Sequence, residues 1–166
     1  KIFSDLSIEG IILTGGNDLT SFNSSSNNIL SQKRDDFEKE IISYAITNNI
    51  PLLGVCRGMQ IIADFYGSQF MAVSNHVAKT HILSVLPHFK FSHLLKTGDK
   101  VNSFHNFSVS SLGDELLPLA YSEDNSLEAF THSTHKILCH MWHPERENPF
   151  ILSQLKLIKF FFEEHL

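Results

Sequence analysis

The sequence has little cysteine: only Cys56 and Cys139 among 166 residues. So few cysteines exclude a disulfide framework and a zinc ribbon. Positive charge is also scarce. Lysine and arginine total 13 against 18 acidic residues, a formal net charge of −5, and no Lys/Arg run exceeds two residues. That balance argues against nucleic acid or an anionic membrane as the main partner. No apolar run approaches the ~20 residues of a membrane helix. A secretory-signal start is missing as well. A cytoplasmic protein of the reducing cytosol is therefore expected. The chain lacks a leading methionine, opening at Lys1 just before a strand pattern, which is what a fragment would show.

What is present suits one domain over residues 1–166. Hydrophobic residues make up 42% and charged residues 19%, an ordinary globular balance. Gly10 to Thr14 is a short apolar run ending in Gly15-Gly16, read as a buried strand and a tight turn. The Ser/Asn-rich run from Ser21 to Ser31 reads as a surface loop. Asp35 and Asp36 are expected to open a helix with Phe37, Ile41, Tyr44 and Ala45 on its apolar face, stopped by Asn48-Asn49. Pro51 to Val55 reads as a second buried strand, and Arg57 to Tyr66 as a second helix stopped by Gly67. This alternation predicts an α/β fold: an open, mostly parallel sheet with helices on both faces.

The middle of the chain is β-rich. Strands are expected at 81–86, 107–110, 117–121, 127–131 and 136–141, giving a small antiparallel portion. A closing helix over 149–166 carries Ile151, Leu155, Ile158 and Phe162 at helical spacing, with Phe161 adding width. The 14 phenylalanines suit a large aromatic core.

The sharpest chemical signal is Gly54-Val55-Cys56-Arg57-Gly58-Met59-Gln60. An apolar strand ends at Cys56 and a helix begins at once. This is a nucleophile-elbow pattern with cysteine in place of serine. Gly54 and Gly58 would let the backbone turn sharply, and the helix N-terminus would favour the thiolate. A base is needed. Among 10 histidines, His143 stands out in Trp142-His143-Pro144-Glu145. Pro144 biases His143 toward an extended conformation. Glu145 lies two residues on and can hold one ring nitrogen, leaving the other for Cys56. The strand before His143 would deliver it to the carboxyl edge of the sheet. Thr14-Gly15-Gly16 exposes backbone N–H groups, so Gly16 and Arg57 are the expected oxyanion-hole donors.

Taken in order, these segments resemble the class I glutamine amidotransferases, and within them the stand-alone γ-glutamyl hydrolases. The resemblance rests on residues 10–16, 54–60, Val101-Asn102-Ser103-Phe104-His105 and Trp142-His143-Pro144-Glu145, and it spans nearly the whole chain. It implies a three-layer, flavodoxin-like fold and a Cys56–His143–Glu145 triad that cleaves a γ-glutamyl amide through a glutamyl thioester. It also implies that Gln60, His105, Asn106 and Phe107 meet the substrate. The overall likeness, Trp142 to Pro149 included, extends to hydrolases whose leaving group is a nucleotide amidate used in bacterial capsule synthesis. Arg57, Lys79 and Arg146 would then serve as cations at the site mouth. Two departures stand out. Phe107 occupies a position where these hydrolases often carry glutamine. The first strand and helix of the family have no counterpart before the Gly-Gly strand.

The alternative is a glutaminase subunit that hands ammonia to a separate synthetase. A non-catalytic binding protein is a third reading, against which the intact triad weighs. Cys139 reads as core. His132, His135 and His140 are expected at surface or edge positions. His76, His81, His88 and His93 have irregular spacing and no acidic partner nearby in sequence, so no metal and no cofactor is expected. The expected partner is a small γ-glutamyl molecule.

Overall fold

The structure is a computed structural model describing residues 7–22, 29–87, 91 and 93–163. Its main sheet has six strands. Three are parallel neighbours: β1 (Ile11–Leu13), β2 (Leu52–Val55) and β10 (Ile137–His140). The other three continue it antiparallel from β10: β9 (Leu127–His132), β8 (Leu116–Tyr121) and the short β5 (Ser84–Val85). The order is therefore β1-β2-β10-β9-β8-β5, a mixed sheet in an α/β fold. Two antiparallel ribbons lie beside it. One pairs β3 (Gln69–Ala72) with β7 (Phe107–Ser111), the other β4 (Val77–Ile82) with β6 (Lys100–Phe104). Every residue of β2 and β10 is buried. Both faces of these strands are covered, which is why they read as unbroken apolar runs.

Helix α2 (Arg57–Phe65) packs on one face, backed by α1 (Ile29–Thr47), while α3 (Leu152–Glu163) covers the other. Gly58 sets the closeness of α2 to the sheet: a Cβ there would sit 2.0 Å from the Leu13 carbonyl oxygen. A Cβ on Gly54 would meet the Gly58 backbone at 2.8 Å. Neither glycine has a positive φ; the strained backbone is that of Cys56 itself, at φ 51° and ψ −104°. The paired glycines thus serve strand–helix contact, and the turn is carried by the residue between them.

Several expectations need correction. Helix α1 begins at Ile29, not at the Asp35-Asp36 pair, and takes in the end of the expected Ser/Asn loop; residues 23–28 of that loop lie outside the described residues. Its buried face is Ser31, Asp35, Glu38, Ile42 and Ala45, and Phe37 is 49% exposed. The cause is a charge. Arg57 is fully buried, and its guanidinium hydrogen-bonds both Asp35 and Glu38. A helix that must bring two carboxylates to a buried cation cannot turn Phe37 inward as well. In α3 the buried stripe is Gln154, Leu157 and Phe161, so Leu155 is 41% exposed. The expected strand over 81–86 divides into β4 and β5, and β3 and β6 were not foreseen. Short, largely exposed strands such as β3 carry no alternation to read. The buried core is mainly aliphatic: Phe91, Phe130 and Phe161 are the buried phenylalanines among the described residues. His132 and His140 are buried, not at the surface, and Cys139 is core as expected.

The Arg57 contacts join α1 to α2 in the interior. Removing one partner leaves a buried cation partly uncompensated, which costs about 3–5 kcal/mol for a buried pair. Asp35→Ala is therefore expected to lower unfolding free energy by about 3 kcal/mol in urea titration. A loss under about 1 kcal/mol would mean that water reaches the guanidinium.

Candidate active site

Because β1, β2 and β10 are parallel and in register, with Leu13 beside Gly54 and Val55 beside His140, their carboxyl ends share one edge. Three chain segments emerge there: Thr14-Gly15-Gly16, Cys56, and Met141-Trp142-His143. The sheet alone thus brings together the three motifs that are far apart in sequence.

Cys56 donates its backbone N–H to the His140 carbonyl at 2.9 Å, continuing the β2–β10 ladder, and its own carbonyl accepts from Gln60 N–H at 3.0 Å, opening α2. The residue is 5% exposed. Burial pushes its thiol up to about 11. The Arg57 N–H bonded to the sulfur and the charge of Arg146 pull the other way, and Glu145 and Asp18 add to the rise. This corrects the expectation of a resting thiolate. The helix N-terminus acts in the expected direction, but desolvation of the sulfur outweighs it.

His143 is 1% exposed. Its Nδ1 lies 2.6 Å from Glu145 Oε1, and its Nε2 is buried with no hydrogen-bond partner among the described residues. Glu145 itself is 60% exposed at the side chain. The imidazole packs against Gly15, where a Cβ would sit 2.6 Å from His143 Cε1. Asn102 of β6 clamps the backbone of the same residue: its Oδ1 accepts the His143 N–H at 2.8 Å and its Nδ2 donates to the His143 carbonyl at 2.8 Å. Sequence reasoning quoted Asn102 without giving it a role. His140, at the end of β10, is fully buried, stacks on Trp142 with centroids 4.6 Å apart, and gives Nδ1 to the Trp142 carbonyl. Burial pulls its pKa down to about 4, and no carboxylate among the described residues hydrogen-bonds it.

Gly16 lies in the same loop as Gly15. A Cβ on it would strike Arg34, whose guanidinium donates to the Thr14 carbonyl at 3.1 Å and pairs with Glu38 at 2.8 Å. Arg34 and Glu38 therefore hold the loop from behind, a role that exposed-looking helix charges gave no hint of. The Arg57 backbone N–H is hydrogen-bonded to the Cys56 sulfur. Its side chain is buried with Asp35 and Glu38 and cannot reach a leaving group, which corrects that expectation. Lys79 is exposed on β4, and Arg146 is exposed over the Phe104 ring at 4.4 Å.

The expected substrate residues behave differently from one another. Gln60 is 3% exposed and donates Nε2 to the Phe107 carbonyl at 3.0 Å. His105 also reaches that carbonyl, through Nδ1 at 3.1 Å. The Asn106 carbonyl accepts from Val73 N–H at 2.9 Å. Both carbonyls of this loop are thus already engaged within the chain. The Phe107 ring stacks on Phe22 at 4.4 Å. His105 points away into a buried group with His76, His81 and Glu128. Glu128, from β9, is the acidic partner that the sequence near the histidines lacks. His93 instead meets Phe160 edge-on, and His88 lies outside the described residues.

A cavity of about 570 Å³ opens beside His143 and Glu145, lined by Gly15, Gly16, His143, Pro144, Glu145 and Arg146 on one side and by Leu53, Leu155 and Ile158 on the other. A second one, of about 590 Å³, lies at the opposite ends of the strands, around Pro51 and Lys136, remote from this chemistry.

The family model for peptidase C26 matches residues 6–145. The chain belongs to the peptidase C26 family. It is 41% identical over 155 residues to the γ-glutamyl-CDP-amidate hydrolase of Campylobacter jejuni subsp. jejuni serotype O:2, covering 93% of this chain and 70% of that one. Among solved structures it is similar to a protein described as part of a GMP synthase from Thermoplasma acidophilum, with TM-score 0.72, 22% identity, and 94% and 72% coverage. A glutamine amidotransferase from Thermotoga maritima aligns with TM-score 0.66 and 18% identity, over 89% and 62% of the two chains. The fold is thus that of the class I glutamine amidotransferases, and C26 membership makes the chain a cysteine-dependent hydrolase.

With the Cys56 thiol near 11, the thiolate fraction of the free C26 enzyme grows with pH throughout the neutral range. Iodoacetamide modification should accelerate about tenfold per pH unit between about pH 7 and 9. A rate that levels off below about pH 7 would mean a preformed thiolate instead.

Proposed function

We propose that this C26 enzyme hydrolyses a γ-glutamyl amide with Cys56 as nucleophile, His143 as base and Glu145 as its orienter. The observation that carries the reading is the state of His143. One nitrogen is tied to Glu145 at 2.6 Å and the other is buried and unpartnered among the described residues, at the strand edge where Cys56 also emerges. An imidazole fixed in this way is a proton acceptor waiting for a donor, and the protonated Cys56 supplies one.

In the proposed sequence, His143 Nε2 takes the Cys56 proton as the sulfur attacks the δ-carbonyl of the glutamyl group. The N–H groups of Arg57 and Gly16 hold the oxyanion. His143 then protonates the leaving nitrogen, and a glutamyl thioester remains on Cys56. Water, deprotonated by His143, releases glutamate. Gln60 and His105 act through the Phe107 carbonyl, holding the loop that receives the glutamyl end, while Asn106 and Phe107 line it. Asn102 is a positioning residue for His143.

For the leaving group we infer a nucleotide amidate, as the Campylobacter relative's name specifies for that enzyme, which would place this one in capsule synthesis in the cytosol. The support from the site is Arg146, an exposed cation whose charge is felt at the Cys56 sulfur and whose place over Phe104 fixes it at the mouth. Among the described residues no helix is long and apolar enough to cross a membrane.

The test is glutamate release from a panel of γ-glutamyl amides, with γ-glutamyl-CDP-amidate and free glutamine included. Wild type should favour the nucleotide amidate, and Cys56→Ala should lose at least about 10³-fold in kcat/KM. Preference for free glutamine, with activity rising on addition of a synthetase, would establish an ammonia donor to a larger enzyme instead. Release of no glutamate from any member of the panel would rule out the hydrolase reading.

A further inference from the structure

The buried group behind the substrate loop has a problem of hydrogen bonding that a further proton or a metal cation would solve. His76 immediately precedes β4, His81 lies near its end, His105 immediately follows β6, and Glu128 comes from β9. All four residues are buried, at 3%, 7%, 4% and 0% exposure. The Glu128 Oε2 has no hydrogen-bond partner among the described residues. His76 Nδ1 and His105 Nε2 face each other at 3.4 Å. The outer nitrogen of each is already engaged: His76 Nε2 with Asp124 at 2.7 Å, His105 Nδ1 with the Phe107 carbonyl at 3.1 Å. A carbonyl can only accept, so His105 carries its proton on Nδ1 and turns a lone pair inward. Asp124 likewise draws the His76 proton to Nε2. Two inward lone pairs at that distance repel unless a second proton or a metal ion lies between them.

We propose that His76 Nδ1, His81 Nδ1, His105 Nε2 and Glu128 bind one zinc ion at a structural site. The candidate donor atoms all lie within 4.8 Å of one another. A tetrahedral zinc with bonds of about 2.0–2.2 Å needs donors about 3.3–3.6 Å apart. The His76–His105 spacing of 3.4 Å already matches, and the His105–Glu128 spacing of 3.8 Å nearly does. His81 Nδ1 and Glu128 Oε1, now 2.6 Å apart, separate when the metal replaces the proton they share. The outer contacts of His76 and His105, to a carboxylate and a backbone carbonyl, are those that metal-bound histidines usually make. Glu128 and Asp124 together balance the charge of a dication. Imidazole and carboxylate donors suit zinc, and four protein donors with no open position make a structural site.

The site would pin the β4–β6 ribbon to β9 and, through the Phe107 carbonyl, fix the loop that Gln60 also holds. It includes none of Cys56, His143 and Glu145.

The test starts with the purified full-length protein. Elemental analysis without added metal, and zinc titration after chelation, should each give about one equivalent per chain, with Tm raised on reloading. Cobalt(II) substitution should give the intense visible bands of a tetrahedral site. His81→Ala and Glu128→Gln should weaken zinc binding at least about tenfold, while Cys56→Ala binds as wild type does. Chelated wild type that takes up no zinc and shows no Tm change would overturn the proposal, whatever the variants do. So would zinc binding that survives His81→Ala but disappears in Cys56→Ala, since the metal would then sit on the catalytic cysteine.

Discussion

Arg57 is a fully buried guanidinium, and the carboxylates of Asp35 and Glu38 are what keep it there. A charge in that position cannot be shed and must be matched. The match fixes α1 against α2 and so determines which side of α1 faces inward. It holds the residue that follows Cys56, whose N–H points at the sulfur. Through Glu38 it also reaches Arg34, which grips the carbonyls of the Gly15–Gly16 loop. One ionic cluster behind the site therefore supports both of the proposed oxyanion donors. The guanidinium would serve the chemistry through rigidity, never touching substrate.

The sheet provides the remaining constraint. Parallel pairing of β1, β2 and β10 aligns three strand ends, and each end delivers one motif. Cys56 takes a strained φ of 51° because the strand must turn at once into a helix that lies directly on β1. His143 is held from three directions: Gly15 against its ring, Glu145 on Nδ1 and Asn102 on its backbone. Removing water from this edge raises the Cys56 thiol, so the proposed nucleophile is stored with its proton and would depend on the imidazole for its release.

The parts legible in the sequence were those with a local signature. The elbow at Cys56, the His143-Pro144-Glu145 turn and the two buried parallel strands could be read because strand end, turn and helix start leave marks within a few residues. What depended on distant partners could not be read. Asp35 and Glu38 look like solvent-facing helix charges until Arg57 is placed beneath them. Phe37 sits at apolar spacing, yet the buried cation turns the helix away from it. The role of Asn102 requires His143, 41 residues along the chain, to be its neighbour. The histidines of the middle segment show no ligand spacing, since Glu128 meets them only where β9 lies against the separate β4–β6 ribbon. Antiparallel β9 and β8 widen the sheet beyond its parallel half, and short strands such as β3 gave no period to detect.

At the centre of the account is the claim that the chemistry passes through a covalent bond to one of the two cysteines. Mass spectrometry of enzyme quenched in acid during turnover of a γ-glutamyl amide measures this directly. The predicted result is a single glutamyl group on the peptide that contains Cys56, enriched when thioester hydrolysis is slowed. A glutamyl group on Cys139, or steady turnover with no adduct on either cysteine at any quench time, would contradict the account.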